Sequence, residues 1–389
     1  MSKKKFSVHG NFKDGVNTVK ALTERMRFVN GAKAVLPTRT DDFGVNKVAK
    51  LLHPKNQTLV ISRIEEHSDI AKSYYFKSEN TPLAYFKAGQ YITFKLEIGN
   101  SVVTRSYSIA SSPASALNGE YQVTVKRIRD GFVSDYILDN WKVGDKVIAY
   151  APEGNMIYNP LRDAANIVAV AGGSGITPFL SLARAINEGT EDCSLTLLYG
   201  CRNSAEILFK AELDNLSERN EKINVVYVLS NSDEQGYEKG FVGADMIKKY
   251  APEGKFSVFV CGPGGLYNFL ETELPKLELE RKYIRFEVFS SGKKAEEKKE
   301  FSITVINRGD ETTIKANSNE TVLCAFERAG IVVPARCHTG ECGFCRSKLV
   351  SGKVYIPEGE DKRRIGDMQF NFIHPCCCFP ESDLVVRIN

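Results

Sequence analysis

The chain has 389 residues, 42% of them hydrophobic and 26% charged, with a net charge of +4. That length exceeds one ordinary core and fits three compact units plus an extension. The small charge, with no basic stripe interleaved with aromatics, gives no case for a nucleic-acid partner, and no apolar run approaches the ~18 residues that argue for a membrane span.

Residues 1–54 read as a basic extension, the first fifty carrying eleven Lys or Arg against four Asp or Glu. Val16, Val19, Leu22, Met26 and Val29 recur at helical spacing, and Val45, Val48, Leu51 and Leu52 suggest a second short helix. These helices are expected to pack on the main body, with a partner-docking arm as the alternative. The opening M-S-K-K-K-F leads into mixed polar sequence and not into an apolar stretch. A cytoplasmic protein is therefore expected, its ten cysteines serving as ligands or free thiols. The expected state is a monomer.

Over 55–158, short alternating runs such as T-L-V-I-S-R-I, Y-I-T-F-K-L-E-I and Y-Q-V-T-V-K-R-I predict an antiparallel β-barrel or sandwich. Arg105, Tyr107 and Ser108 end one strand as R-S-Y-S, and G-F-V-S-D-Y-I sets Gly131 and Ser134 at a helix start. An arginine, an aromatic face and a helix N-terminus together suit a flavin nucleotide. They offer charge for the pyrophosphate, a ring to stack and a hydroxyl near the reactive nitrogen.

Residues 159–290 alternate buried-strand runs (I-V-A-V-A-G-G, S-L-T-L-L-Y-G, I-N-V-V-Y-V-L-S) with helical stretches, predicting an α/β domain on a parallel sheet. The segment A-G-G-S-G-I-T-P from Ala171 to Pro178 follows a strand and opens a helix, the context in which a glycine turn binds pyrophosphate. V-F-V-C-G-P-G-G-L brings Cys261, Gly262 and Pro263 to the C-terminal end of another strand, where parallel sheets bind ligands. The polar run S-G-K-K-A-E-E-K-K-E at 291–300 reads as a linker.

Residues 301–389 open with a hairpin and a helix and then read P-A-R-C-H-T-G-E-C-G-F-C. Cys337, Cys342 and Cys345 stand at C-x4-C-x2-C, with Cys376 thirty-one residues later. This is the plant-type spacing for a 2Fe-2S cluster, and Gly340 and Gly343 let backbone N–H groups approach the sulfides. Sulfur ligation also suits zinc, but zinc loops pair C-x2-C with a second such pair or with two histidines, and neither is here. Cys376, Cys377 and Cys378 are consecutive, so either neighbour is an alternative fourth ligand. Cys193, Cys201 and Cys324 read as plain buried thiols.

Taken in this order, the motifs of 55–389 resemble the ferredoxin–NADP reductase superfamily. The arrangement is that of oxygenase reductase components and of the NADH reductase of hybrid-cluster protein. The resemblance implies a multidomain protein: an antiparallel β-barrel flavin domain, an α/β parallel-sheet nicotinamide domain and an α+β β-grasp ferredoxin domain, behind a short helical N-terminal extension. It implies electron flow from NAD(P)H through FAD and a 2Fe-2S cluster to an electron-acceptor metalloprotein. By the same resemblance Arg105 meets the FAD pyrophosphate, Tyr107 the isoalloxazine ring and Ser108 its N5, with Gly131 and Ser134 as the family's G-x-x-S. Gly172, Gly173, Gly175 and Pro178 form the nicotinamide motif, Thr177 lies beside the nucleotide, and Cys261, Gly262 and Pro263 are the family's C-G-P. Glu287 and Phe289, from F-E-V-F, fall near the ring edge. Ser108, Cys261 and Glu287 are the implied catalytic group, and Cys337, Cys342, Cys345 and Cys376 the implied ligands.

Two departures stand out: the Cys376–Cys378 triplet, and His338 where such loops commonly carry arginine. The loop N-S-D-E-Q-G after Ser230 carries two carboxylates and no arginine, which favours NADH over NADPH, although Arg202 could supply the missing charge. Residues 301–389 balance eleven basic with eleven acidic residues, so ferredoxin docking is expected within the chain. Alternative functions are a self-contained oxidoreductase for a quinone or ferric chelate, and a cluster-based redox sensor.

Overall fold

The computed structural model describes residues 12–31, 43–52, 54–128, 132–289, 299–357 and 361–388, so Gly131 and residues 291–298 of the expected linker lie outside the described residues. The chain divides into two compact units, 1–49 and 50–389. The first holds helix α1 (Phe12–Gly31), and helix α2 (Gly44–Leu52) runs across the boundary. Both follow the apolar spacing read from the sequence. No helix among the described residues is long and apolar enough to cross a membrane.

The larger unit begins with a six-stranded antiparallel sheet of β1 (Asn56–Ser68), β2 (Ala71–Ser78), β3 (Tyr91–Ile98), β4 (Ser101–Ser108), β5 (Tyr121–Lys126) and β6 (Lys146–Tyr150). Its order is β4-β3-β6-β1-β2-β5, so β4 and β5 are edge strands, and the Ile109–Val123 bridge draws them into an incomplete barrel. Alternate side chains point inward, and Phe76, Phe94 and Trp141 meet there with ring centroids between 5.1 and 5.9 Å apart. Helix α3 (Pro113–Leu117) starts at Ser112, whose Oγ accepts from Ser115 N, and helix α4 (Phe132–Asn140) takes a hydrogen bond from Tyr74 Oη at Ile137 O, 3.1 Å.

A second sheet, all parallel, contains β7 (Asn166–Gly172), β8 (Ser194–Cys201), β9 (Ile223–Leu229), β10 (Glu238–Lys239), β11 (Phe256–Cys261) and β12 (Ile284–Glu287) in the order β10-β9-β8-β7-β11-β12. Helices α5 (Thr177–Asn187), α6 (Lys210–Arg219), α7 (Ala244–Tyr250) and α8 (Gly264–Glu273) connect them. Both faces are covered: Ile167, Ala169 and Ala171 of β7 feed one core, Val168 and Val170 the other. That is why the strand reads as an unbroken apolar run. Strand order reverses between β7 and β11, the switch point at which such sheets open a ligand crevice.

The third sheet holds β13 (Glu300–Asn307), β14 (Asp310–Asn317), β15 (Ser347–Ser351), β17 (Phe372–Ile373) and β19 (Leu384–Ile388), with β16 (Val354–Tyr355) and β18 (Phe379–Pro380) pairing separately. Strands β13 and β19 run parallel and the other pairs antiparallel, a β-grasp arrangement around helix α9 (Val322–Arg328), followed by the short helix α10 (Ile365–Gln369). Arg308 and Gly309 both take positive φ in the two-residue β13–β14 turn. Thr321 caps α9 by accepting from Cys324 N at 3.2 Å.

Barrel and parallel sheet share a core, because Ala71, Ala88, Ala110, Met156 and Tyr158 join Phe179 and Tyr199 in one apolar cluster. Arg184 adds a polar brace, giving Nε and one Nη to Glu212 and the other Nη to Ala110 O and Gln122 Oε1. Arg285 pairs with the fully buried Asp163 carboxylate at 2.7 Å. The core beneath the third sheet is built from residues of its own segment.

Candidate active site

Strands β7 and β11 end together at the switch point, with Ala171 in register with Cys261. The turns that follow interlock. A Cβ at Gly172 would stand 2.7 Å from Pro263 Cδ, and one at Gly175 would stand 2.2 Å from Cys261 O. Only glycine permits that approach. Gly173, at φ +52°, is placed differently: its Cβ position lies 3.7 Å from Lys126 Nζ of the barrel. The turn continues as one 3-10 turn over Gly173–Ile176, so α5 begins at Thr177, with Pro178 in its first turn. Thr177 Oγ1 donates to Ser174 O at 3.0 Å.

Ser108, Cys261 and Glu287 come from three strands and meet beside this crevice. Glu287 lies opposite Cys261 in the β11–β12 register, and Ser108 Oγ donates to Glu287 Oε2 at 3.2 Å. Burial pushes the Glu287 carboxyl up to about 8; the Ser108 hydrogen bond works against that shift, and the negative Glu341 of the cysteine loop adds to it. At neutral pH the carboxyl is therefore mostly protonated. Burial also pushes the Cys261 thiol well up, which makes it a thiol and not a thiolate. Tyr267 Oη accepts from Gly262 N at 2.9 Å and donates to the Glu287 carbonyl, tying the Cys261–Pro263 turn to β12.

Tyr107 is half-buried against Phe94, ring centroids 6.1 Å apart, and Phe289 stands edge-on to Tyr91 at 5.9 Å. Arg105 reaches out of the barrel to Glu327 on α9, with its two Nη atoms 3.1 and 2.9 Å from the carboxylate oxygens. One Nη also donates to Thr104 O at 2.7 Å, which leaves two of the five guanidinium N–H groups for a flavin pyrophosphate. Ser134 Oγ accepts from Ile128 N at 3.3 Å. Arg202 is largely exposed and pairs with Glu206 at 2.7 Å, while Glu206 also lies 3.7 Å from Lys126 Nζ.

The thiols of the cysteine loop interact in pairs. Cys337 interacts with Cys342 and Cys376, and Cys345 with Cys376. Cys337 Sγ also accepts from the N–H groups of Thr339 and Cys342, both at 3.4 Å, an arrangement that favours a thiolate. His338, Gly340 and Gly343 all take positive φ, which turns the loop around the sulfurs. Cys377 Sγ instead donates to His374 O at 3.4 Å, and Cys378 is fully buried. Interacting thiols with backbone donors on Cys337 fit a 2Fe-2S cluster, and the Ser108–Glu287 pair at the end of the strand that carries Tyr107 fits a flavin ring.

The family models "Oxidoreductase FAD-binding domain", "Oxidoreductase NAD-binding domain" and "2Fe-2S iron-sulfur cluster binding domain" match residues 58–158, 169–272 and 305–381. The chain belongs to the iron–sulfur flavoprotein reductases of the ferredoxin–NADP reductase superfamily. The reductase is 26% identical to the glycine betaine monooxygenase reductase subunit of Chromohalobacter salexigens, over 83% of this chain and 93% of that one. It is 28% identical to the ferredoxin reductase component of 3-ketosteroid-9-alpha-monooxygenase from Mycobacterium tuberculosis, over 84% and 94%. Among solved structures, phthalate dioxygenase reductase matches with a TM-score of 0.65 and 25% identity, over 86% of this chain and 98% of that one. FAD, a nicotinamide coenzyme and a 2Fe-2S cluster are the reductase's cofactors.

Several residues of this reductase gave no functional signal in the sequence. Tyr91 lies where the two halves of the site meet: burial raises its phenol, and Glu153, Cys337, Glu287 and Cys342 all act on it. A tyrosine at the start of a strand reads as core, and only the fold brings it between Glu287 and the cysteine loop. Glu327, in the run E-R-A-G, reads as a solvated helix charge, yet its side chain is 4% exposed. Lys126, at the end of β5, reads as a strand-end surface lysine and lies instead beside the glycine turn.

Proposed function

We propose that this reductase is the electron-donating component of an oxygenase system, oxidising NADH and passing single electrons to an oxygenase or ferredoxin partner. One observation carries the reading. Glu287, which holds Ser108, lies with Tyr91 beside Gly154, and Cys337 and Cys342 of the cysteine loop act electrostatically on the same Tyr91 phenol. Bound FAD accepts an electron pair with a proton from the nicotinamide and releases electrons singly to the 2Fe-2S cluster.

The chain's residues divide that work. Gly172, Gly173, Gly175, Thr177 and Pro178, with Gly262 and Pro263, form the nicotinamide crevice, and Arg202 lies toward the nucleotide's far end. Arg105, Tyr107, Gly131 and Ser134 hold the flavin, Phe289 borders its ring, and Cys337, Cys342, Cys345 and Cys376 ligate the cluster. Glu287 keeps a proton at its carboxyl near neutral pH beside Ser108 Oγ, a store for proton exchange with the flavin's reactive nitrogen. Cys261, neutral and buried, closes the crevice floor without adding charge. The proposed division gives 55–158 to flavin, 159–290 to nicotinamide and 301–389 to the cluster, in a monomer. NADH is favoured because Glu206 neutralises Arg202 and because Asp233 and Glu234 lie on the loop after β9.

Anaerobic visible spectra and low-temperature EPR before and after NADH, and separately NADPH, test this. NADH should bleach the flavin and produce the signal of a reduced cluster. Bleaching of the flavin with no cluster signal overturns the electron-export reading.

A further inference from the structure

Strand β4 is an edge strand, paired with β3 and, among the described residues, meeting β5 only through the Ile109–Val123 bridge just past its end. Sheet edges of this kind are usually covered or blunted. Here the cover comes from the ferredoxin segment, through side chains. Ser101 Oγ donates to Glu327 O, Arg105 grips the Glu327 carboxylate with both Nη atoms, and Ser106 Oγ donates to Arg336 O at 3.3 Å. Thr104 Oγ1 donates to Ala335 O at 3.1 Å and lies 3.0 Å from His338 Nε2. With the hydroxyl proton given to Ala335, His338 is the donor in that second contact, which assigns its proton to Nε2.

We propose that the outer edge of β4 is a docking ledge for the ferredoxin segment, and that Glu327 and Thr104 are the positioning residues holding the cysteine loop beside the flavin strand. The proposal rests on the electron-transfer reading above for its purpose, though not for its geometry. All four barrel residues fall within Ser101–Ser106 of one strand, and their partners fall between Glu327 and His338, the stretch that contains the first cluster cysteine, Cys337. Arg336 extends the ledge at one end, pairing with Glu153 at 3.0 Å and lying over the Tyr150 ring at 4.8 Å. The strand that carries R-S-Y-S thus serves two clients. Ser108, at its end, faces Glu287 and the nicotinamide crevice, while the residues before it face the cluster.

The chemistry suits setting a register more than strong adhesion. A buried ion pair roughly breaks even against water, because desolvating both charges offsets their attraction, but it strongly penalises any geometry that parts them. The ferredoxin segment is tethered to the barrel, which supplies a high effective concentration, so a weak polar contact of fixed geometry is enough to dock it. His338 fits the same logic. In its left-handed conformation, φ +58°, it turns its ring toward Thr104. The residue that departs from the common arginine of such loops is therefore the one that meets the ledge.

The test uses the full-length holoprotein and two isosteric variants outside the flavin and cluster sites, Glu327→Gln and Thr104→Val. Amide hydrogen exchange over 101–108 and 322–338 reads docking directly, without turnover. Stopped-flow absorbance after NADH then follows flavin bleaching and cluster bleaching separately, each cluster taking one electron as one iron passes from ferric to ferrous. Both variants should exchange these segments about tenfold faster or more and slow cluster bleaching by a similar factor. Flavin bleaching by NADH and the cluster's reduction potential should stay at wild-type values, and Thr104→Ser, which keeps the hydroxyl, should restore wild-type behaviour. Wild-type exchange and wild-type cluster bleaching in Glu327→Gln would overturn the ledge. If NADH never bleaches the wild-type cluster, the electron-transfer reading fails, and the exchange contrast alone decides the ledge.

Discussion

The barrel meets its two neighbours in different ways. Toward the parallel sheet it shares an apolar core, in which Ala71, Ala110 and Met156 pack with Phe179 and Tyr199, and the seam is braced by Arg184. Toward the ferredoxin segment the contacts are hydroxyls, carbonyls and two ion pairs, and the ferredoxin keeps a core of its own. A shared core makes two domains fold as one body, since exposing it would forfeit hydrophobic stabilisation. A polar seam fixes relative position without that dependence. Flavin and nicotinamide must hold one geometry for electron-pair transfer, whereas a cluster that hands electrons to another protein benefits from a seam that can open.

The largest expected effect cuts the molecule along this difference. Cys345→Ser should lower electron delivery to a partner by a factor of about 100, in line with lost cluster ligation, while NADH still bleaches the flavin. Paired visible and EPR spectra check it. Equal loss of both activities would show that the two halves are not separable.

Asp163→Ala probes the parallel-sheet side of the shared core. The Asp163 carboxylate has no exposed surface and holds Arg285 at 2.7 Å and Arg162 at 2.9 Å. Its removal leaves buried guanidinium charge and should cost about 3–5 kcal/mol in denaturant unfolding followed by flavin fluorescence. The ferredoxin transition should move much less. If both transitions shift together, the polar seam couples the domains as tightly as the shared core does.

Glu287 gives the comparison a pH dependence. Its folded-state value, raised by burial to about 8 from 4.5, means that the native state binds a proton the unfolded chain has released. Its contribution to stability is fully present below 4.5 and is lost as pH rises through 8, a change on the order of 5 kcal/mol. Thermal melts from pH 5 to 9 should show this decline in the flavin–nicotinamide body, and Glu287→Gln should flatten it and be the more stable form at pH 9. A wild-type slope that survives in Glu287→Gln assigns the decline to other groups.

Much of the fold was legible because its signals are local. Alternation gave the barrel strands, β7 read as an unbroken apolar run because both its faces are covered, and C-x4-C-x2-C announced the cluster loop. Sequence spacing also marked Ser108 and Cys261, but not that β11 and β12 would align Cys261 with Glu287 or that Ser108 would reach the carboxylate. Those are register facts set by tertiary packing. Least legible were groups whose meaning depends on a partner more than 200 positions away, as with Arg105 and Glu327. Nothing within a few residues of Glu327 separates it from an ordinary solvated helix charge.

The smallest expected effect concerns coenzyme choice, at the outer end of the rigid body. Arg202 is the cation that could receive a 2'-phosphate, and its charge is taken by Glu206, which also faces Lys126. Arg202 is exposed and Glu206 half-buried, so loss of the pair should alter stability only modestly. What changes is the field at the nucleotide: Glu206→Gln frees two cations without moving the backbone, and an added phosphate gains most from them. The ratio of kcat/KM for NADPH to that for NADH should therefore rise by about three- to tenfold, an effect that fades with added salt because Arg202 is exposed. A rise in both constants by the same factor would mean that Glu206 acts on the pyrophosphate common to both coenzymes, moving the discriminating charge from Arg202 to Lys126 beside the glycine turn.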